Sequence, residues 1–390
     1  MPMATGVIKI GMLTPFSGVY PYYGHHLTAG MLMGIYPGAP KKNEIQFIPV
    51  YTKMGDPASA LEAVNRLIFF DQADIISGLI NYRSIPDIIP VIERHNKLAF
   101  FFDMGEYIPW FNYLSPRIFY ASQQIWQSQY ALGYWAGREY GSGGMTVMTV
   151  YEAGYHINST FDKGAADAGA GALNMHVIPH DRNDPKRMDL DDFFAKIRKN
   201  PPPYVHAIFA GSMGNEFLEA WKLSGFHKNI PLIVVENMAY DDLLQDAASL
   251  DLELFSASTW TRSSEETRNI EFVKRFETMG GQMANIFGLL GYEAGLALRE
   301  IKPLILKREW AKASELLQKE SITGPRGDRN FYPASGFSLP VTDIINVKTS
   351  AGKISKTVIS QGKGLKFDSE EFKQIHEGSV SGWYNPYLCV

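Results

Sequence analysis

Between Ala73 and Tyr107 the sequence passes through an apolar stretch of strand length, a polar corner, an amphipathic helix and a second apolar stretch that ends in acidic residues. Two strands joined through a helix must lie parallel in one sheet, and a parallel sheet is covered on both faces. Ile75, Ile76, Ser77, Gly78, Leu79 and Ile80 form the first strand. Ser84 is expected to cap a helix from about Ile85 to His95 that buries Ile88, Ile89 and Ile92, with Pro86 in the first turn, where its missing N–H costs nothing. The second strand, Leu98 to Phe102, is apolar throughout and stops at Asp103-Met104-Gly105-Glu106. Open α/β sheets bind ligands beyond the carboxyl ends of their strands. Asn81 to Ser84 and Asp103 to Glu106 are therefore expected to be adjacent loops on a functional edge.

The same alternation runs on both sides of this stretch. Val7 to Leu13 reads as a first strand, followed by the long aromatic loop Thr14 to Gly24 and a helix to about Tyr36. Glu44 to Tyr51 is a strand, and Asp56-Pro57 opens a helix whose inner face is predicted to use Leu61, Val64, Leu67 and Ile68. After an extended segment at Arg117 to Ala121 and a helix from Gln123 to Tyr140, the pattern restarts. Strands are predicted at Met145–Val150, Leu173–Pro179, Tyr204–Ala210 and Pro231–Val235, with helices at Ser159–Ala170, Leu190–Lys199 and Asn215–Ser224 between them. Beyond Leu252 to Thr259, the helices Glu265–Met279, Ile286–Ile301 and Ala311–Lys319 lack a strand series of their own and are expected to complete the first lobe. Val341–Lys348 and Lys353–Ser360 read as a hairpin around Ser350-Ala351-Gly352, and the last thirty residues carry no period that places them. The fold class is α/β, with two doubly wound parallel-sheet lobes.

A chain of 390 residues, 45% of them hydrophobic, is long enough for two cores. The net charge of -4 and the absence of a basic run interleaved with aromatics argue against nucleic acid as a partner. Cys389 is the only cysteine, so neither an intrachain disulfide nor a thiolate metal site is available. No apolar run approaches the roughly 20 residues needed to span a bilayer, so a soluble chain is expected. Met1 to Gly6 leads directly into the first strand without a leader, so either the protein is cytoplasmic or a signal peptide has been removed. His176 and His180 are four apart in a strand and share no helical face, and His25-His26 is adjacent, so no metal and no cofactor is expected. Gly141-Ser142-Gly143-Gly144 precedes a strand instead of following one and reads as a turn.

Several short motifs follow one another in a set order: Ile8-Lys9-Ile10-Gly11 running into Thr14-Pro15-Phe16-Ser17-Gly18 and Tyr23-Gly24; Asp56-Pro57 with Ala58, Ala60 and Ala63; Gly78; Pro90-Val91-Ile92-Glu93; Gly291-Tyr292-Glu293-Ala294; and Thr323-Gly324-Pro325-Arg326-Gly327. In this order they resemble the type I periplasmic solute-binding proteins of the leucine/isoleucine/valine-binding branch. The resemblance implies a receptor that captures a small polar ligand, an amino acid or a related nitrogen compound, by lobe closure and passes it to an ABC-type membrane permease outside the cytoplasm. It implies three crossovers, near Arg117 to Ala121, Leu254 to Thr259 and Asn330 to Thr342. The lobes would then be residues 1–120 with 256–330 and residues 121–255 with 331–390. Carried over by position, the ligand residues are Tyr23, Tyr82, Arg83, Ser84, Asp103, Met104, Gly105 and Glu106 from the first lobe. From the second they are Tyr151, Tyr155, Ser212, Met213 and Glu236, the last matching the acid that holds a ligand's amino group. The chain departs from the amino-acid binders at the first-lobe corners, where Tyr82-Arg83 replaces small residues and Asp103 and Glu106 stand where a carboxylate would sit.

Two other readings stay open. A cytoplasmic ligand sensor, similar to the amide sensors, shares the fold. Ala210-Gly211-Ser212-Met213-Gly214 lies between a strand and a helix, as the nucleophile elbow of an α/β hydrolase does, with His376 as the available late histidine. Arg83 has three fates: a surface charge, an ion pair with Asp103 or Glu106, or a ligand clamp.

Overall fold

Apolar stretches that cannot face water on either side are packed as the middle strands of two separate sheets. The computed structural model describes residues 6–41, 43–110, 112–179, 188–333, 341–365, 368–378 and 383–389. The first sheet forms from β1 (Ile8–Thr14), β2 (Ile45–Tyr51), β3 (Ile75–Leu79), β4 (Leu98–Asp103) and β5 (Ile118–Ser122), parallel throughout in the order β2-β1-β3-β4-β5. Helices α1 (Tyr23–Ile35), α2 (Pro57–Phe69) and α3 (Ile85–Arg94) connect it. Every residue of β3, β4 and β5 is buried, which is the doubly covered environment the apolar runs require.

Helix α4 (Ile125–Tyr140) leads into β6 (Met145–Thr149), the short α5 (Val150–Ala153), α6 (Ile157–Asp167), β7 (Asn174–Ile178), α7 (Asp191–Lys199), β8 (Val205–Ile208), α8 (Ser212–Ser224), β9 (Leu232–Val234), α9 (Asp241–Leu244) and β10 (Leu252–Ser258). After α10 (Thr267–Gly280), α11 (Ile286–Leu306) and α12 (Trp310–Lys319) come a small hairpin, β11 (Ile322–Gly324) and β12 (Gly327–Arg329), then β13 (Asp343–Ser350), β14 (Lys353–Gln361) and α13 (Ser369–Gly378). The second sheet runs β14-β13-β10-β9-β8-β6-β7. Its β7, β6, β8, β9 and β10 are parallel, and the predicted hairpin β13–β14 extends it antiparallel beside β10. That edge is the exception to an all-parallel sheet, and an antiparallel pair needs no crossover helix to form it.

Local chemistry differs from expectation at two points. Ser84 does not cap α3 with its side chain; Asn81 does the capping one turn earlier, its Oδ1 accepting the Arg83 N–H at 2.8 Å above a single turn of 3-10 helix, Tyr82–Ser84. The inner face of α2 uses Ala60 and Ala63 beside Val64, Leu67 and Ile68, while Leu61 is only half-buried. Asp56 caps that helix as predicted, accepting the Ser59 N–H at 3.0 Å.

Glycine explains why a helix nearly 300 residues into the chain belongs to the first lobe. A Cβ on Gly30 or Gly34 of α1 would lie 2.1 Å from the Gly288 carbonyl oxygen or 2.3 Å from that of Tyr292. From the α11 side, Gly291 and Gly295 meet the carbonyl oxygens of Leu27 and Met31 at 2.2 and 2.3 Å. Backbones this close exclude any side chain, so the two helices are matched to one another. The second lobe repeats the device between α4 and α6, where Gly133 and Gly164 face the carbonyls of Phe161 and Tyr130 at 2.0 and 2.1 Å. Gly291→Ala should therefore lower the urea-unfolding stability by about 1–3 kcal/mol, although alanine is the better helix former by about 1 kcal/mol. Gly280→Ala, with open space around it, is the control and should be neutral or stabilising. Equal stability of wild type and Gly291→Ala in denaturant melts contradicts the glycine seam.

Candidate functional site

The loops beyond the carboxyl ends of both sheets face each other, and the space between them is filled by the end of the chain itself. Asn81, at the end of β3, donates from Nδ2 to the Asn385 carbonyl at 2.9 Å, and the Tyr155 hydroxyl donates to the same oxygen from the second lobe at 3.2 Å. Glu106, in the loop after β4, accepts the Tyr387 N–H at 3.2 Å. The Tyr107 hydroxyl donates to the Trp383 carbonyl at 3.0 Å, and the Ser17 hydroxyl to that of Leu388. The Tyr387 ring, fully buried, stacks on Tyr151 with centroids 5.9 Å apart and meets Tyr155 edge-on at 5.2 Å. Its hydroxyl lies 3.4 Å from Asn237 Oδ1. The last residues, which periodicity left unplaced, are thus held by both lobes.

The acidic corner is a joint between the first sheet and the crossover into α4. Asp103 Oδ1 accepts the Gly105 N–H at 2.7 Å and the Ser122 hydroxyl at 2.6 Å, and Oδ2 accepts the Tyr82 hydroxyl at 3.1 Å. The carbonyls of Met104 and Gly105 accept the Ile125 and Trp126 N–H groups at 3.0 and 2.9 Å, which supplies partners to the first turn of α4. Gly105 has φ 70°, and a Cβ there would sit 2.4 Å from Gln124 Cα, so only glycine permits the corner to press on the crossover. Behind it the lobes touch directly: the His156 N–H donates to the Glu106 carbonyl at 2.9 Å, and the Ile108 N–H to His156 Nδ1 at 3.2 Å.

The remaining predicted residues divide. Tyr151 and Tyr155 lie against the buried tail, and Glu106 bonds to it. Tyr23 is buried beneath its own loop, its hydroxyl donating to the Pro15 carbonyl at 2.6 Å and its ring 5.4 Å from Phe287. Arg83 places its guanidinium 5.0 Å from the Tyr384 ring centroid and 5.9 Å from that of Tyr107. Ser84 is fully buried, and its hydroxyl has no hydrogen-bond partner among the described residues. Ser212 begins α8 and is exposed, Met213 is half-buried, and the late histidine His376 lies against Trp110 and His156, so the described contacts form no Ser212–His376 pair. His180 is outside the described residues, and His176 is buried with Nδ1 3.1 Å from Lys196 Nζ.

Glu236 follows β9 and is bonded to the crossovers. Its Oε1 accepts the Thr259 N–H at 2.8 Å, the Thr259 hydroxyl at 2.7 Å and the Gln123 amide at 2.9 Å. Gln123 Oε1 in turn accepts from Arg326 Nη1 at 2.9 Å, and Arg326 is paired with Glu293 at 2.6 Å, both side chains 1% exposed. Glu236 is therefore bonded to two of the crossovers. Its Oε2 has no hydrogen-bond partner among the described residues. Pattern reading missed Ser17, Tyr107, Asn237 and the tail. Ser17 and Asn81 lay within segments already singled out, but nothing local marks their carbonyl partners.

A family model described as periplasmic binding protein matches residues 7–338. The chain belongs to this family. Solved structures similar to this periplasmic binding protein include the solute-binding protein of an ABC transporter from R. palustris in complex with benzoate, at 20% identity over 93% of this chain and 99% of that one, with a TM-score of 0.73. Another from R. palustris, in complex with 4-hydroxybenzoate, has 15% identity over 92% and 96%, with a TM-score of 0.71. A leucine-binding protein from Thermotoga maritima has 15% identity over 90% and 98%, with a TM-score of 0.66. No curated protein matches. Among the described residues no helix is long and apolar enough to cross a membrane, and no cluster of three His, Cys, Asp or Glu could hold a metal.

The electrostatics of this binding protein follow from burial. Asp103 and Glu106 are pushed above the usual carboxyl range by burial, and the Asp103 charge adds to the rise at Glu106. Burial raises Glu152 to about 7 against the Thr149 hydrogen bonds that lower it, and depresses His156 and His206 to about 3. A raised carboxyl holds its proton in the native state after the unfolded chain has released it, so its stabilisation is lost as pH rises through the raised value. The depressed histidines act oppositely, but their gain is complete above about pH 6.5, the unfolded value. Between about pH 6.5 and 8 the urea midpoint should fall, and Glu152→Gln and Glu106→Gln should each flatten the fall. A midpoint that stays level or climbs over this interval contradicts the assignment of buried, proton-holding carboxyls.

Proposed function

We propose that this periplasmic binding protein is the solute receptor of an ABC-type importer, acts outside the cytoplasm without catalysis, and takes a small aromatic molecule bearing hydrogen-bond donors between its lobes. The observation that carries this reading is the wall composition of the inter-lobe cleft. Three tyrosine rings form a row, Tyr107 to Tyr155 at 5.4 Å and Tyr155 to Tyr151 at 5.2 Å, with the Glu106 carboxyl beside them. Aromatic faces take a flat ring, and a buried carboxyl takes an N–H or O–H. The rings come from both lobes and the carboxyl from the first, so a ligand between them favours the closed form through contacts to each. The neighbouring structures with bound benzoate and 4-hydroxybenzoate support an aromatic ligand. The Glu106 carboxyl, which already accepts an N–H from the tail, favours a donor over the bare carboxylate of those acids. Delivery to a permease rests on the family and on the neighbours' being ABC transporter solute-binding proteins.

The panel that tests this is tyramine, tyrosine, benzoate and leucine, titrated by calorimetry. Tyramine, an aromatic ring with a cationic donor, should bind best, because a charge-assisted hydrogen bond contributes about 1.5–3 kcal/mol. Its cation should also lower the raised Glu106, so that binding releases protons in buffers near neutral pH. Tyr155→Ala should weaken tyramine at least about tenfold. Tightest binding by leucine or benzoate contradicts the donor-selecting aromatic site.

A further inference from the structure

The segment Trp383–Cys389 is bound the way a peptide ligand is bound. Its hydrogen bonds to the cleft come from side chains and run to its main chain: the Asn385 carbonyl from Asn81 and Tyr155, the Tyr387 N–H to Glu106, the Leu388 carbonyl from Ser17, and the Trp383 carbonyl from Tyr107. One side chain is read specifically. The Tyr387 ring lies against Tyr151 and Tyr155, and its hydroxyl reaches Asn237, whose own Nδ2 is fixed by the Phe209 carbonyl at 2.9 Å so that Oδ1 is left as the acceptor. The segment closes on itself, with the Cys389 N–H donating to the Pro386 carbonyl at 3.1 Å and Asn385 Nδ2 to the Cys389 carbonyl at 2.6 Å. Self-closure lets it enter and leave as a unit. A tail that served only to brace one lobe would need neither a phenol pocket nor donors and acceptors drawn from both lobes. Glu106 Oε2 and Glu152 Oε1 are also buried without a hydrogen-bond partner among the described residues. The tail therefore leaves part of the hydrogen-bonding capacity of these two carboxyls unused.

We propose that the cleft is a recognition site for a phenol joined to an amide N–H, that Tyr387 is its resident occupant, and that an external molecule of this chemistry binds by displacing residues 383–389. This deepens the receptor reading and rests on it. The site would then be loaded by exchange, and the tail would set a threshold concentration below which the cleft holds its own chain. The apparent affinity of any solute is reduced by the fraction of molecules whose tail is out.

Cys389 reports the exchange directly. It is the only cysteine in the chain and is buried, and burial together with Glu106 raises its thiol, so it is unreactive while seated. The experiment follows maleimide labelling of the full chain with N-acetyltyrosinamide as the probe. Cys389 should react at least about tenfold more slowly in the native protein than in urea, as expected of a thiol exposed only by local opening. The probe should raise the rate and saturate, whereas N-acetylphenylalaninamide, lacking the phenol oxygen, should need about tenfold more for the same effect. Tyr387→Ala should label faster and bind the probe about tenfold more tightly by calorimetry, because the competitor is weakened. If Tyr387→Ala does not fold, Ser17→Ala, which removes one hydrogen bond to Leu388, should label faster in the same assay. Native labelling as fast as in urea overturns the proposal. So does probe binding, seen by calorimetry, that leaves the Cys389 rate unchanged, an outcome in which the receptor reading survives. Failure of the whole ligand panel on both wild type and Tyr387→Ala sinks the receptor reading itself.

Discussion

The Arg326 guanidinium cannot reach water, and the arrangement of both lobes depends on how its charge is met. It pairs with Glu293 through Nη2 and Nε, donates to Gln123 Oε1, and reaches the Ser122 carbonyl at 3.3 Å. The far end of the Gln123 amide then donates to Glu236 and Thr259. One chain of hydrogen bonds thus links α11, the turn between β11 and β12, the end of β5, the turn after β9 and the end of β10. Removing one member of a buried pair leaves an uncompensated charge, at a cost of about 3–5 kcal/mol. The clasp ties the crossovers together, and the loops after β3, β4 and β6 meet beside it, where Asp103 accepts the Ser122 hydroxyl.

Where these loops meet, the closure is made by aromatic rings and buried carboxyls. Tyr107, Tyr151 and Tyr155 present flat apolar faces, and the Asp103 carboxyl is used up by Gly105, by Ser122 at the end of β5 and by Tyr82. Glu106 alone of the two acids points a carboxyl oxygen at a cleft occupant, the Tyr387 N–H. The tail, the second-lobe tyrosines and the first-lobe corner are then one unit of packing. Its strength relative to a competing solute sets whether the protein is a receptor ready to load or one that must first release its own end.

Much of the scaffold was legible because it is written in local periodicity. Leu98 to Phe102 can only be a doubly covered strand, and Asp56-Pro57 opens a helix wherever it stands. The late helices could be assigned to the first lobe by default, yet the reason, glycine against carbonyl between α1 and α11, involves Gly30 and Gly291, which no window spans. The same limit governed the site. Glu293 and Arg326 both stood out within short motifs, but their pairing across 33 residues is a tertiary fact. Glu236, whose match to a ligand acid comes from position, has its Oε1 engaged by Thr259 and Gln123, partners that no local pattern assigns to a strand-end acid. Trp383 to Cys389 has neither helical nor strand period. Its placement comes from carbonyl and N–H groups that every residue carries, and from one tyrosine ring that finds its pocket only when both lobes are assembled.

The central claim is that the cleft between two clasped lobes is closed on the chain's own end. Amide hydrogen exchange of the full chain, resolved to the C-terminal peptide, measures this most directly. The Tyr387 amide, bonded to Glu106, and the Cys389 amide, bonded to the Pro386 carbonyl, should exchange far more slowly than in an unstructured tail. Exchange of residues 383–389 at the unprotected rate, with the sheets of both lobes protected, would contradict the account.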